Sequence, residues 1–167
     1  NYLTPTCFEE RLSDYTARPR VLEVCNPQAG MRVLDLGCGE GYVARQFATR
    51  GASVLGMDIS AGMIERASAV ERDNPLGIEY RTVDASGALD IEDSAYDLCI
   101  AVFLFNYLTV EEMTSVMKTV QQSLRPEGRF VFTVPHPLLA YLRDKERPFY
   151  FDHGDAGYFS GRDKTFE

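Results

Sequence analysis

The segment VLDLGCGEGYVAR, Val33 to Arg45, sets Gly37, Gly39 and Gly41 within five positions, behind an apolar run and ahead of a helix-like stretch. Glycine loses more backbone freedom on folding than any other residue. A cluster of them marks a turn whose geometry needs positive φ or the close approach of another group. Such a turn between a strand and a helix is the junction of a βαβ unit. It also leaves main-chain N–H groups free to meet a small ligand.

The rest of the chain repeats this alternation. The apolar runs RVLDL (32–36), SVLGMD (53–58), IEYRTV (78–83), YDLCIAV (96–102) and RFVFTV (129–134) are separated by the helix-length stretches YVARQFATR, AGMIERASAVERD and TVEEMTSVMKTVQQSL. Leu98 to Val102 is continuously apolar, as a parallel strand covered on both faces must be. In the last helix Thr109 and Glu112 have capping-box spacing, and Val110, Met113, Met117, Val120 and Leu124 recur at helical intervals. RPEG (125–128) then closes it. The expectation is an α/β fold, a doubly wound, mostly parallel sheet with helices on both faces.

Upstream, TPTCFEERLSDYT reads as a helix with Phe8 and Leu12 on one side, and Pro19 and Asn26-Pro27 interrupt it. Three segments follow: a helical 1–30, a ligand-binding core 31–137 and an aromatic-rich 138–167.

A net charge of −8 argues against nucleic acid as the main partner, since phosphate contacts need a surplus of Lys and Arg. No apolar run is long enough to cross a bilayer and no secretory pattern opens the sequence, so neither a membrane nor export is expected. The four cysteines, Cys7, Cys25, Cys38 and Cys99, have no metal-ligand spacing, and His153 beside Asp152 makes no cage. A reducing, cytoplasmic setting is the expectation.

In an open parallel sheet the ligand lies beyond the carboxyl ends of the strands. Three of those ends carry an acid: Asp35 just before the glycine turn, Asp58 and Asp84. Asp58 stands 21 positions after Gly37, a spacing suited to accepting hydrogen bonds from ribose hydroxyls. A dinucleotide fingerprint would need glycine where Tyr42 stands, which disfavours a nicotinamide-dependent oxidoreductase. Free N–H groups at the opening of the following helix favour an anionic group such as a carboxylate or phosphate.

With VLDLGCGEG, VLGMDIS and the following AGMIERA, VDA, YDLCIAVFLFNYL and LRPEGRFVFTVP in this order, the chain resembles the class I S-adenosylmethionine-dependent methyltransferases from Met31 to Pro137. The resemblance implies a Rossmann-like fold and methyl transfer to an O or N atom of a small-molecule acceptor. It implies that Asp35, Gly37, Cys38 and Gly39 hold the methionine part of the cofactor and Asp58 the ribose. Ile59 and Met63 would flank the adenine, Asp84 and Ala85 would meet its edge, and Val102 and Phe103 would lie near the cofactor. Cys38 reads as packing, with nothing nearby in sequence to activate a thiol.

The acceptor side is less defined. His136, between two prolines, is the candidate base by residue type, against a reading in which it only hydrogen-bonds the backbone. Tyr107, with Asn106, either orients the acceptor or finishes the strand. No NPPY-type tetrad follows the fourth strand. Phe149, Tyr150, Phe151, Tyr158 and Phe159 form either a lid over an apolar or aromatic acceptor or a surface loop packed on the sheet. The fold implied by the resemblance continues with a further helix and two strands, whereas this sequence begins at Asn1 and stops at Glu167. The expectations are a fragment, or an edge strand covered by the tail or by another subunit of a homo-oligomer. A non-catalytic S-adenosylmethionine-binding regulatory module is the remaining alternative.

Overall fold

A computed structural model describes residues 17–87 and 89–135. The expected helix before residue 17, His136 and the aromatic tail lie outside the described residues.

The elements are α1 (Ala17–Cys25), β1 (Arg32–Leu36), α2 (Tyr42–Ala48), β2 (Ser53–Asp58), α3 (Ala61–Asp73), β3 (Glu79–Thr82), β4 (Tyr96–Val102), α4 (Val110–Ser123) and β5 (Leu124–Thr133). The five strands form one sheet in the order β3-β2-β1-β4-β5, every neighbour parallel. Strand order reverses between β1 and β4, so a crevice opens beyond their carboxyl ends. This is the doubly wound sheet expected from the alternation.

Successive residues of each strand face opposite layers. Val33, Val54, Leu98 and Ile100 pack with Val21 and Cys25 of α1 and with Val43 and Phe47 of α2. Leu34, Leu36, Leu55, Met57, Cys99 and Ala101 pack on the other face with Val116 and Val120 of α4. A strand covered on both faces has no wet side, and β4 is buried from Tyr96 to Ala101.

Three details differ from the sequence expectations. Pro19 does not interrupt a helix but sits in the first turn of α1, where its missing N–H would have no intrahelical partner. The carboxyl end of α1 is held by Arg129, which donates to the carbonyls of Val24 at 3.1 Å and Cys25 at 2.6 Å. In α4 the capping box forms as expected, with Thr109 N–H on Glu112 at 2.7 Å and Glu112 N–H on Thr109 at 3.3 Å. The buried face is Val116, Val120 and Ser123, however, while Val110 is 71% exposed and Met117 43%.

The third difference is RPEG, which lies within β5. The register steps from Tyr96↔Leu124 to Leu98↔Arg129, so those residues bulge from the ladder, and Glu127 takes φ 66°.

Candidate functional site

The glycine turn joins β1 to α2 at the strand-order reversal. Gly37, Gly39 and Gly41 all have positive φ, at 72°, 56° and 79°, which explains glycine at each. Their surroundings differ. A Cβ on Gly37 would stand 3.2 Å from Leu104 Cδ1, and one on Gly41 would overlap the Tyr80 hydroxyl and lie 2.7 Å from Tyr80 Cζ. Nothing lies within 4 Å of a Cβ on Gly39. Of the three, only Gly39 has free space where its side chain would stand. The other two make room for the protein's own side chains.

The turn is tied to β2. Met57 carbonyl accepts from Gly37 N–H at 2.8 Å and Cys38 N–H at 2.9 Å. Asp58 accepts from Gly39 N–H at 2.8 Å through Oδ2 and from Ser60 N–H at 2.9 Å through Oδ1. Its carboxylate therefore latches the open part of the turn to the start of α3, and each oxygen keeps a second lone pair. Ser60 caps α3 by accepting from Met63 N–H, which leaves Met63 half-buried at the rim and Ile59 70% exposed beside it.

Asp35, the fourth residue of β1, is 1% exposed, and its Oδ2 has no partner among the described residues. Burial, and then the charge of Asp58, push its carboxyl from 3.8 up to about 7. A buried acceptor without a donor is costly, and a cation beside it relieves that cost. Cys38 donates to Gly39 carbonyl at 3.6 Å. Burial, with Asp35 and Asp58 nearby, pushes its thiol up, so it stays protonated and un-nucleophilic.

At the third strand tip, Asp84 Oδ1 accepts from Ser86 N–H at 2.9 Å and Ser86 Oγ at 2.7 Å. Those bonds hold its carboxyl below the ordinary value. Asp84 is exposed and Ala85 buried. At the fourth tip, Val102 and Phe103 are half-buried. Phe103 has φ 58°, a left-handed conformation that costs a bulky residue about 1–2 kcal/mol. Tyr107, in the 3₁₀ turn Phe105–Tyr107, is 78% exposed.

Asp35, Gly37, Cys38, Gly39 and Asp58 are thus brought together. Ile59, Met63, Asp84, Ala85, Val102 and Phe103 stand at or beside neighbouring strand ends. Sequence reasoning passed over Tyr80 and Leu104, which fill the space under the turn. A cavity of about 460 Å³ lies elsewhere, at the amino ends of the strands. Its arginines are already paired, Arg32 with Glu92 and Arg81 with Glu79.

S-adenosylmethionine needs an anionic partner for its ammonium and sulfonium charges, an acceptor for ribose hydroxyls and an apolar surface for adenine. Asp35 Oδ2, without a partner among the described residues, the free space at Gly39, the remaining lone pairs of Asp58 and the exposed Ile59 side chain fit those needs.

Comparison with known proteins agrees. A family model described as a methyltransferase domain matches residues 33–128. The ubiquinone biosynthesis O-methyltransferase of Acinetobacter baylyi is 31% identical over 106 residues, which is 63% of this chain and 44% of that protein. The solved S-adenosylmethionine dependent methyltransferase from Mesorhizobium loti is 34% identical over 76% of this chain and 57% of that one, with a TM-score of 0.65. The PH0226 protein from Pyrococcus horikoshii OT3 is 28% identical over 78% of this chain and 60% of that one, with a TM-score of 0.67.

The chain spans about half the length of the curated relatives it matches. The matched span contains the glycine turn, all three acidic strand tips and the whole of β4, and the chain belongs to the class I S-adenosylmethionine-dependent methyltransferase family.

Proposed function

We propose that this chain binds S-adenosylmethionine across the carboxyl ends of β1 to β4 and serves methyl transfer to a small-molecule acceptor. The observation that carries the reading is the buried Asp35 carboxyl just before the glycine turn, whose Oδ2 has no partner among the described residues. Asp35 and the Gly37–Cys38–Gly39 backbone hold the methionine end, and Asp58 accepts from the ribose. Ile59 and Met63 flank the adenine, Asp84 and Ala85 meet its edge, and Val102 and Phe103 line the β4 side.

When bound, the cofactor would supply an electrophilic methyl carbon, to which the acceptor atom bonds in line as the carbon–sulfur bond breaks and the neutral thioether, S-adenosylhomocysteine, leaves. The chain's residues contribute orientation and the exclusion of water. An oxygen acceptor is favoured by the relatives named as O-methyltransferases, at 28–33% identity. Where that acceptor must first lose a proton, His136 is the candidate base and Tyr107 a candidate for orienting it.

A nicotinamide cofactor fits less well. Tyr42 opens α2 where a dinucleotide turn needs glycine, and its ring lies under the Arg18 guanidinium at 4.2 Å. Calorimetric titration with S-adenosylhomocysteine, with NADH in parallel, tests the reading. Micromolar binding of the first and none of the second is expected, and binding of NADH alone overturns it.

A further inference from the structure

The residue in the site whose backbone is least at ease is Phe103, a bulky side chain at φ 58° directly after β4. Such a conformation persists only where its surroundings hold it. The restraint comes from the end of β5. Val102↔Thr133 is the last pair of the β4–β5 ladder, and Phe103 N–H donates both to the Thr133 carbonyl at 3.1 Å and to Thr133 Oγ1 at 3.1 Å. The hydroxyl gives the N–H a second acceptor where the ladder would otherwise end on one.

The consequence of the left-handed turn falls on the next residue. Leu104 lies so close to Gly37 that a Cβ there would stand 3.2 Å from Leu104 Cδ1 and 3.3 Å from Leu104 Cβ. Gly37 in turn donates to Met57 at 2.8 Å, in the same turn whose Gly39 N–H is latched by Asp58.

From this geometry we infer that Thr133 is a positioning residue for the cofactor turn. It holds Phe103 left-handed, which seats Leu104 against Gly37 and fixes the turn in the shape that receives the methionine end. The inference rests on the proposed function for its consequence in binding, but not for its structural content.

The test is a double-mutant cycle of Thr133→Val with Phe103→Gly, read by S-adenosylhomocysteine affinity and by amide exchange at Gly37, whose N–H is bonded to Met57 carbonyl. Glycine adopts positive φ unaided, so it removes the need for the restraint. Thr133→Val alone should weaken binding about tenfold, the equivalent of one hydrogen bond, and speed exchange at Gly37. Thr133→Ser, which keeps the hydroxyl, should stay within about twofold of the parent.

In the Phe103→Gly background the same Thr133→Val change should have less than about a twofold effect. Equal losses in both backgrounds would show Thr133 acting by packing and would overturn the inference, as would a Thr133→Val protein that binds and exchanges like the parent. If the parent chain fails to bind S-adenosylhomocysteine, the proposed function falls. The exchange cycle then still decides the role of Thr133.

Discussion

Replacing Asp35 by asparagine probes the site and the fold at once. The carboxyl of Asp35 is raised from 3.8 to about 7 by burial and then by the charge of Asp58. Between those values the native protein keeps a proton that the unfolded chain releases, so stability falls as pH rises from about 4 to about 7 and is level above that. The interval, at about 1.4 kcal/mol per pH unit, amounts to about 4 kcal/mol of stability lost by pH 8. The amide of the Asp35→Asn variant cannot ionise, so its unfolding profile lacks this contribution. The difference between parent and variant, followed by thermal unfolding at fixed pH values from 4 to 8, isolates Asp35 from all other titrating groups.

The variant is expected to be no more stable than the parent at pH 4, since a buried amide still needs partners. From pH 4 to pH 8 its stability relative to the parent should rise by about 4 kcal/mol. Ligand binding should show the converse. A cation docked beside Asp35 favours the charged form, so binding below pH 7 expels a proton, and affinity should climb toward pH 7 and then level. Calorimetry in buffers of different ionisation enthalpy should count close to one proton released at pH 6 and none at pH 8 in the parent. In Asp35→Asn the affinity should be weak and flat with pH. A stability difference between parent and variant that does not change from pH 4 to pH 8 would refute the account of Asp35 as a buried acid lacking a partner.

Asp58→Ala should weaken S-adenosylhomocysteine binding by about 1.5–3 kcal/mol, because a charge-assisted acceptor is lost. Unchanged calorimetric affinity in a folded variant would remove the ribose assignment. Gly41→Ala should destabilise by at least about 2 kcal/mol in urea unfolding, from positive φ and from overlap with Tyr80. Adding Tyr80→Phe should recover part of that loss, and a Gly41→Ala protein as stable as its parent would sink the packing argument. Thr109→Ala should cost about 1 kcal/mol through the α4 capping box, with cofactor affinity unchanged.

What could be read from the sequence was what neighbours along the chain decide. Ala61–Asp73 is helical over the whole stretch expected, since Ser60 caps it and no breaker intervenes. β4 announced its two covered faces by an unbroken apolar run. The face of α4 was not legible in the same way. Val110, Met113 and Met117 form one apolar stripe and Met113, Val116 and Val120 another, and only the sheet selects between them. RPEG carried true turn chemistry, yet whether it ends a helix or bulges from a strand depends on its pairing with β4.

The site divides along the same line. Glycines at 37, 39 and 41 were visible, but that Leu104 and Tyr80 occupy two of the spaces is a contact between distant segments. The left-handed Phe103 and the buried Asp35, whose Oδ2 has no partner among the described residues, go further, because local rules argue against both. A bulky residue avoids positive φ, and an acid avoids an interior without a donor. A chain that tolerates both at the end of adjacent parallel strands carries a conflict between folding and something else. Strain of this kind is retained where a ligand removes it or uses it. The two residues stand on either side of the strand-order reversal, with Leu104 of one segment resting on Gly37 of the other. That coincidence ties the uncomfortable backbone of β4 and the uncomfortable charge of β1 to one function.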